Sequence, residues 1–246
     1  DDGEAPPRAS SSKQQARVLL SHILGARGES LDVNSFCEED SWPSLPEPRC
    51  SESVGEWVRH LGRALSCPQG REKYVRELQV DDQRLLRHLL VTYLSDAEDL
   101  DDVDGLRAVA DAAKLVAFLD EPSLLELLVD DLEIYSGLLG ALEYAADVKK
   151  KKCDEDDGEA TTTEAARRVA YRDLAIRAAK MKQVVPITDH ELKARISQHF
   201  RACVLRDALL RPGAESGHLS SLHNLIFFDA NDVLQRLHRD TNYLSQ

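Results

Sequence analysis

Eight histidines, five cysteines and several paired acids are the side chains that could do chemistry in this 246-residue chain. The histidines stand at 22, 60, 88, 190, 199, 218, 223 and 238. His218 and His223 are five apart, which on a helix places them on different faces and makes no metal pair. His199 beside Phe200, and His88 between leucines, read as structural or surface histidines. Cys37, Cys50, Cys67, Cys153 and Cys203 are odd in number and contain no C-x-x-C. They suggest neither a zinc site nor a secreted disulfide framework, and a reducing cytosolic or nuclear compartment is the simpler reading. Asp130–Asp131 could share acid–base work, but at a helix junction aspartates commonly cap. G-x-S-x-G, H-E-x-x-H, P-loop and G-x-G-x-x-G are all absent. The expectation is no catalytic residue, no metal and no cofactor.

One stretch invites a functional reading by itself: KKKKCDEDDGE, residues 149–159. Lysines beside Cys153 could lower its pKa, but acids follow at once, so a solvent-exposed thiol is expected. The run sits in a mixed-charge loop insertion at about 147–162, and Lys149, Lys150, Lys151 and Lys152 form a weak candidate for nuclear import.

The elements that must position any site are helical. Leu and Ala dominate the periodic segments, aromatics are 5%, and no alternating strand pattern with hairpin turns occurs. DDQRLLRHLLVTYL (81–94) places Leu85, Leu86, Leu89, Leu90 and Tyr93 on one face behind an Asp cap. DVDGLRAVADAAKLVAFL (102–119) turns Leu106, Val109, Ala113, Val116 and Ala117 inward, and PSLLELLVDD (122–131) and LEIYSGLLGALEY (132–144) follow. Thr161-x-x-Glu164 and Thr188-x-x-Glu191 have the capping-box pattern, the second opening a helix that runs toward Pro212–Gly213. Two shorter segments, HLSSLHNLIFF and NDVLQRLHRD, finish the chain.

The spacing predicts an all-α protein, either a compact bundle or a solenoid. An internal echo favours the second. LVAFLDEPSLLELLVDD (115–131) and LIFFDANDVLQRLHRD (225–240) both run apolar helix end, acidic turn, apolar helix. The expected fold is therefore an armadillo/HEAT-like α-solenoid of irregular stacked helix pairs. Residues 1–12 read as a flexible linker, and 13–44 as an unassigned leading helix (KQQARVLLSHILG) and loop. Residues 45–246 read as the helical-repeat domain. The opening DDGEAPPRASSS has no initiator Met and reads as a cut inside a longer protein.

Charge is divided along the chain. The formal net charge is −13, which argues against non-specific binding to nucleic acid or anionic membrane over the whole surface. Residues 96–146 hold 14 Asp/Glu against 2 Lys/Arg, whereas 162–211 hold 11 Lys/Arg against 5 acids. Neighbouring repeats of opposite charge that attract each other give one explanation. A basic groove for an acidic partner gives another. A nucleic-acid-binding helical repeat using the basic 162–211 region is the alternative function, though no aromatic stacking platform accompanies it.

Several stretches together resemble one family, regulatory subunit 3 of protein phosphatase 4, the Smek family. The likeness begins at LPEPRCSESVGEWVRHL (45–61) and REKYVREL (71–78). It sharpens at EDLDDVDGL (98–106), where the family has E-[DN]-L-E-x-x-[DE]-G-L. It continues through DLEIYSGLLGALEY (131–144), Tyr171–Arg172, VVPITD (184–189), ISQHFRACVLRD (196–207) and SLHNLIFFDANDVL (221–234). The family's Asp-Pro after L-E-Y is Ala145–Ala146 here, and its H-Q-T-Y-R is Ser197-Gln198-His199-Phe200-Arg201, so the chain resembles a divergent member.

The resemblance implies a non-catalytic regulatory and scaffolding subunit of a Ser/Thr phosphatase. Its expected partners are the phosphatase 4 catalytic subunit, regulatory subunit 2 and phosphoprotein substrates, in nucleus and cytoplasm. No membrane contact is expected. Tethering enzyme and substrate raises their local encounter without changing the chemical step. Tyr144, Arg172, Gln198, Arg201, Arg206, Asp207 and Asn224 are the candidate partner-binding residues, because they match the family's motifs or their charge type.

Overall fold

In the computed structural model the residues described are 42–145, 171–173, 187–210 and 219–239. The leading segment, the charged insertion with Lys149–Lys152 and Cys153, and the Thr161 capping box lie outside them. Among the described residues the fold is all-α, an irregular armadillo/HEAT-like stack of helix pairs.

The first pair is α1 (Ser51–Ala64) and α2 (Pro68–Gln79). Pro68 starts α2 at a position where a missing N–H is no loss. The preceding strap from Trp42 is tied down along its length: the Trp42 carbonyl accepts from Lys73, and Glu47 pairs with Arg84 at 2.7 Å. Trp57 Nε1 donates to the Pro46 carbonyl at 2.7 Å, the Tyr74 hydroxyl to the Pro43 carbonyl at 3.1 Å, and the Leu45 N–H to Glu77 at 2.7 Å.

A rod follows, made of α3 (Arg84–Arg87), a π-helical stretch (His88–Tyr93) and α4 (Leu94–Asp99). Leu86, Leu89, Leu90 and Tyr93 are buried as the spacing predicted. The start of the rod differs from the sequence reading. Asp81, Asp82 and Gln83 all have left-handed backbones (φ 53°, 55° and 57°), and neither aspartate caps the helix. The rod pairs with α5 (Val103–Phe118), capped by Asp102, whose carboxylate accepts from the Gly105 N–H at 2.9 Å. α5 is buried almost all round, and lies against both α1 and α7.

α6 (Pro122–Asp130) and α7 (Leu132–Glu143) form the next pair. Asp131 caps α7, accepting from Glu133 and Ile134 N–H at 3.0 and 3.1 Å, and also pairs with Arg87 of the rod. The capping reading of Asp130–Asp131 therefore holds at Asp131. α7 crosses the π-helical stretch at Gly137, where an added Cβ would run into the backbone carbonyl of Leu90.

The last pair is α8 (His190–Leu209) and α9 (Ser220–Arg239), which pack along each other and onto α6. Two sequence expectations are corrected here. The cap of α8 is Asp189, accepting from Glu191 and Leu192 N–H at 2.8 and 3.2 Å, so the Thr188 box is displaced by one residue. The two short closing segments form one continuous helix, α9. In the first half of the echo, Asp120 takes a left-handed φ of 52° and Pro122 begins a new helix. In the second half, Asp229-Ala230-Asn231-Asp232 contains neither proline nor glycine, and nothing breaks the helix there.

Candidate partner-binding surface

The candidate residues fall into three groups. The first gathers on Glu98, at the end of α4. Arg172 grips that carboxylate with both terminal nitrogens, at 3.1 and 2.7 Å, and the Tyr144 hydroxyl donates to it at 2.9 Å. The Arg172 N–H also donates to Glu143 at 2.9 Å. A two-pronged grip of this kind fixes orientation as well as distance. The guanidinium lies over Gly140 of α7, so closely that a Cβ there would overlap it. Burial disfavours the charged Arg172, but Glu98, with Glu143 and Tyr144 behind it, holds its pKa above the ordinary value. Tyr144 and Arg172, 28 positions apart in sequence, are thus brought together on one acid.

The second group is on α8. Arg201 Nε donates to the Val129 carbonyl at 2.6 Å, at the end of α6, and its guanidinium stands 3.9 Å from Asp130. The Arg201 carbonyl in turn accepts from the Tyr135 hydroxyl of α7 at 3.2 Å. Gln198, 8% exposed, accepts from Arg195 at 3.0 Å inside the α8–α9 contact. Arg195 faces Asp229 and Asp232 of α9, and Arg236 bridges back to Glu191 at 2.8 Å. The cations of the basic region within the described residues are thus set against acids of the fold at Arg172, Arg195 and Arg201. That is the arrangement expected of oppositely charged neighbours in a stack.

The third group faces water. Arg206 pairs with Asp207 next to it at 2.7 Å, and Asp207 and Asn224 are exposed. Of the seven candidates, Asp207 and Asn224 are the exposed ones.

Sequence reasoning missed one pairing: His199 and Cys203, one turn apart on α8, with Nε2 and Sγ 3.7 Å apart. The i, i+4 spacing could have found it. Burial pushes the Cys203 thiol up, with Asp207 and Asp229 pushing the same way against Arg206. That is the reverse of an activated nucleophile, whose pKa is lowered by its surroundings. No cluster of three potential metal ligands occurs among the described residues. No helix among them is long and apolar enough to cross a membrane.

A helical stack whose polar side chains are used to join its own helices, with charged and neutral residues left at its rim, defines an all-α protein of the α-solenoid class. The family follows from comparison. The model of the family "Phosphatase 4 regulatory subunit 3" matches residues 58–246, and the chain belongs to that family. It is similar to the serine/threonine-protein phosphatase 4 regulatory subunit 3 of Drosophila melanogaster, 26% identical over 223 residues. That match covers 88% of this chain and 20% of the fly protein. It is also similar to an uncharacterised protein of Schizosaccharomyces pombe, 27% identical over 178 residues, 72% of this chain and 19% of that one. The chain thus spans about a fifth of the length of these relatives. No solved structure matches.

Proposed function

We propose that this chain is a non-catalytic scaffolding module of a phosphatase 4 regulatory subunit, which holds the catalytic subunit and directs it toward phosphoprotein substrates. The observation that carries the reading is the family match over residues 58–246. Two structural features agree with it. Burial raises the pKa of the thiol in the histidine–cysteine pair on α8, and the conspicuous arginines join helices to one another. On this reading the contribution to dephosphorylation is local concentration of enzyme and substrate, with no chemical step on this chain.

The test is recovery of the phosphatase from cells. The tagged protein is purified and probed for the phosphatase 4 catalytic subunit and regulatory subunit 2. Both are expected in the eluate, and absence of the catalytic subunit overturns the proposal. A second arm uses Asp207→Lys and Asn224→Asp, two exposed substitutions that leave the helix-joining contacts in place. Reduced recovery with an unchanged melting temperature assigns the outer face of α8–α9 to the partner. Unchanged recovery removes those two residues from the binding surface.

A further inference from the structure

The solvent side of α9 is unlike the rest of this highly charged surface. Phe227, Phe228 and Leu234 are 63%, 67% and 64% exposed, three of the largest apolar exposures in the described fold. Ser220, Asn224, Phe227, Asn231, Leu234 and His238 follow one another at alternating steps of four and three residues. That is the spacing of a coiled-coil seam, with Asn224, Asn231 and His238 at a positions and Ser220, Phe227 and Leu234 at d positions. The flanking e and g positions are Ser221, Phe228, Gln235, His223, Ala230 and Leu237. No Asp, Glu, Lys or Arg occupies any of these sites, in a chain that is 30% charged. Three of the four charged residues of the helix, Asp229, Asp232 and Arg236, are turned toward α8, where they meet Arg195 and Glu191, and the fourth, Arg239, is exposed at the helix end.

We propose that this stripe is a two-stranded seam at which α9 pairs, in parallel, with α9 of a second copy of the chain. Two features favour a copy over an unrelated helix, and a third lowers the cost of pairing. Two net charges of −13 repel over most of their surfaces, and from Asn224 to His238 this stripe carries no charged side chain of its own, the Asp120 carboxylate standing at its Ser220 end. Parallel pairing places each a residue against its own counterpart. An asparagine amide both donates and accepts, so it is satisfied by an identical amide across a twofold axis. Asn231 uses one N–H on the Phe227 carbonyl at 3.0 Å, which leaves its second N–H and its carbonyl oxygen for the counterpart. The helix is already folded by its packing on α6 and α8, so pairing requires no ordering of backbone.

The seam is short, about two heptads, so the contact belongs to the weak class of interfaces. The test is sedimentation of the whole chain up to about 1 mM, where an association as weak as millimolar still shows. The expected result is a monomer–dimer equilibrium that Phe227→Asp or Leu234→Asp weakens at least tenfold. Asn231→Val is expected to tighten it about tenfold, because a buried asparagine at an a position lowers stability while it fixes register. Asn231→Cys is expected to yield a disulfide-linked dimer under mild oxidation, above the level given by the native cysteines, because only the parallel register sets the two positions face to face. Circular dichroism and melting of each variant establish that the fold is intact. A wild-type chain that stays monomeric overturns the proposal. A dimer indifferent to Phe227→Asp and Leu234→Asp overturns it too, and an Asn231→Cys chain that does not cross-link overturns the parallel seam.

Discussion

The carboxylate of Asp120 caps a helix that begins 100 residues later: it accepts the Ser221 N–H at 3.0 and 3.1 Å and the Ser220 hydroxyl at 2.7 Å. The first N–H groups of α9 have no partner inside their own helix, and this acid, at the turn between α5 and α6, supplies one. Asp120 holds a left-handed φ of 52°, a backbone that aspartate tolerates better than most side chains. The same acid therefore turns one pair of helices and starts another.

Asp120→Ala is expected to destabilise the fold by about 1–2 kcal/mol, the usual range for a lost N-cap. Alanine also sits poorly at a positive φ, which adds to the loss. Asp120→Asn keeps an acceptor oxygen and the tolerance for that backbone, so its cost should be clearly smaller. Urea denaturation of the three proteins orders them wild type, asparagine, alanine. An alanine variant as stable as wild type would show that α9 starts without this acid.

Gly137 and Gly140 lie one turn apart on α7 and should answer differently to alanine. Either change gains about 1 kcal/mol of helix propensity. At Gly137 the new Cβ meets the Leu90 carbonyl, a backbone group fixed within the rod, and overpacking of this kind costs about 1–3 kcal/mol or more. At Gly140 it meets the guanidinium of Arg172, the end of a flexible side chain, which can swing away if it gives up Glu98. Gly137→Ala should therefore be the more destabilised of the two. Gly140→Ala should instead stabilise the fold, by up to about 1 kcal/mol, once Arg172→Ala has already been made. If that second background changes nothing, the overlap with Arg172 is not what constrains Gly140.

The contrast between what the residues revealed and what they concealed follows from range. Helices bounded by local chemistry were readable: Pro122 and Asp131 mark the ends of α6 and the start of α7 where the sequence placed them. The join in α9 was not, because an acidic turn and an acidic helix face have the same composition, and Asp229 and Asp232 turn out to face Arg195. Asp81 looked like a cap, yet it lies in three consecutive left-handed residues, a conformation no local pattern announces for aspartate and glutamine. The surface was harder still. Arg201 reads as a cation on an apolar helix, and only the packing of α8 on α6 shows that it reaches the Val129 carbonyl. Which helix lies opposite is information that no single segment contains.

Lys149–Lys152 lie outside the described residues, so their role is open to a direct functional test. We propose that they act as an import element in a protein distributed between nucleus and cytoplasm. Replacing all four by alanine in a fluorescent fusion should shift the distribution toward the cytoplasm by at least twofold in nuclear-to-cytoplasmic ratio. The melting temperature should stay unchanged. An identical distribution removes the run from any role in import.

Asp229 gives the fold a pH dependence of definite sign. It is 5% exposed on α9, 3.7 Å from Arg195, and its Oδ2 finds no hydrogen-bond partner among the described residues. Burial holds its carboxyl above the ordinary 3.8; Arg195 and His199 of α8 pull it down, and Asp130 and Glu126 of α6 push it further up. A carboxyl raised on folding binds its proton more tightly in the folded chain. Its contribution to stability is complete below the unfolded value and is lost as pH rises through the folded one. Asp229→Asn does not ionise, so the variant should gain on wild type as pH rises from about 4 and level off above the folded value. Denaturation midpoints of the two proteins across that range measure the gap directly. Parallel curves would mean that Arg195 compensates the buried charge in full. A gap that closes with rising pH would mean that Arg195 stabilises the carboxylate more than burial opposes it.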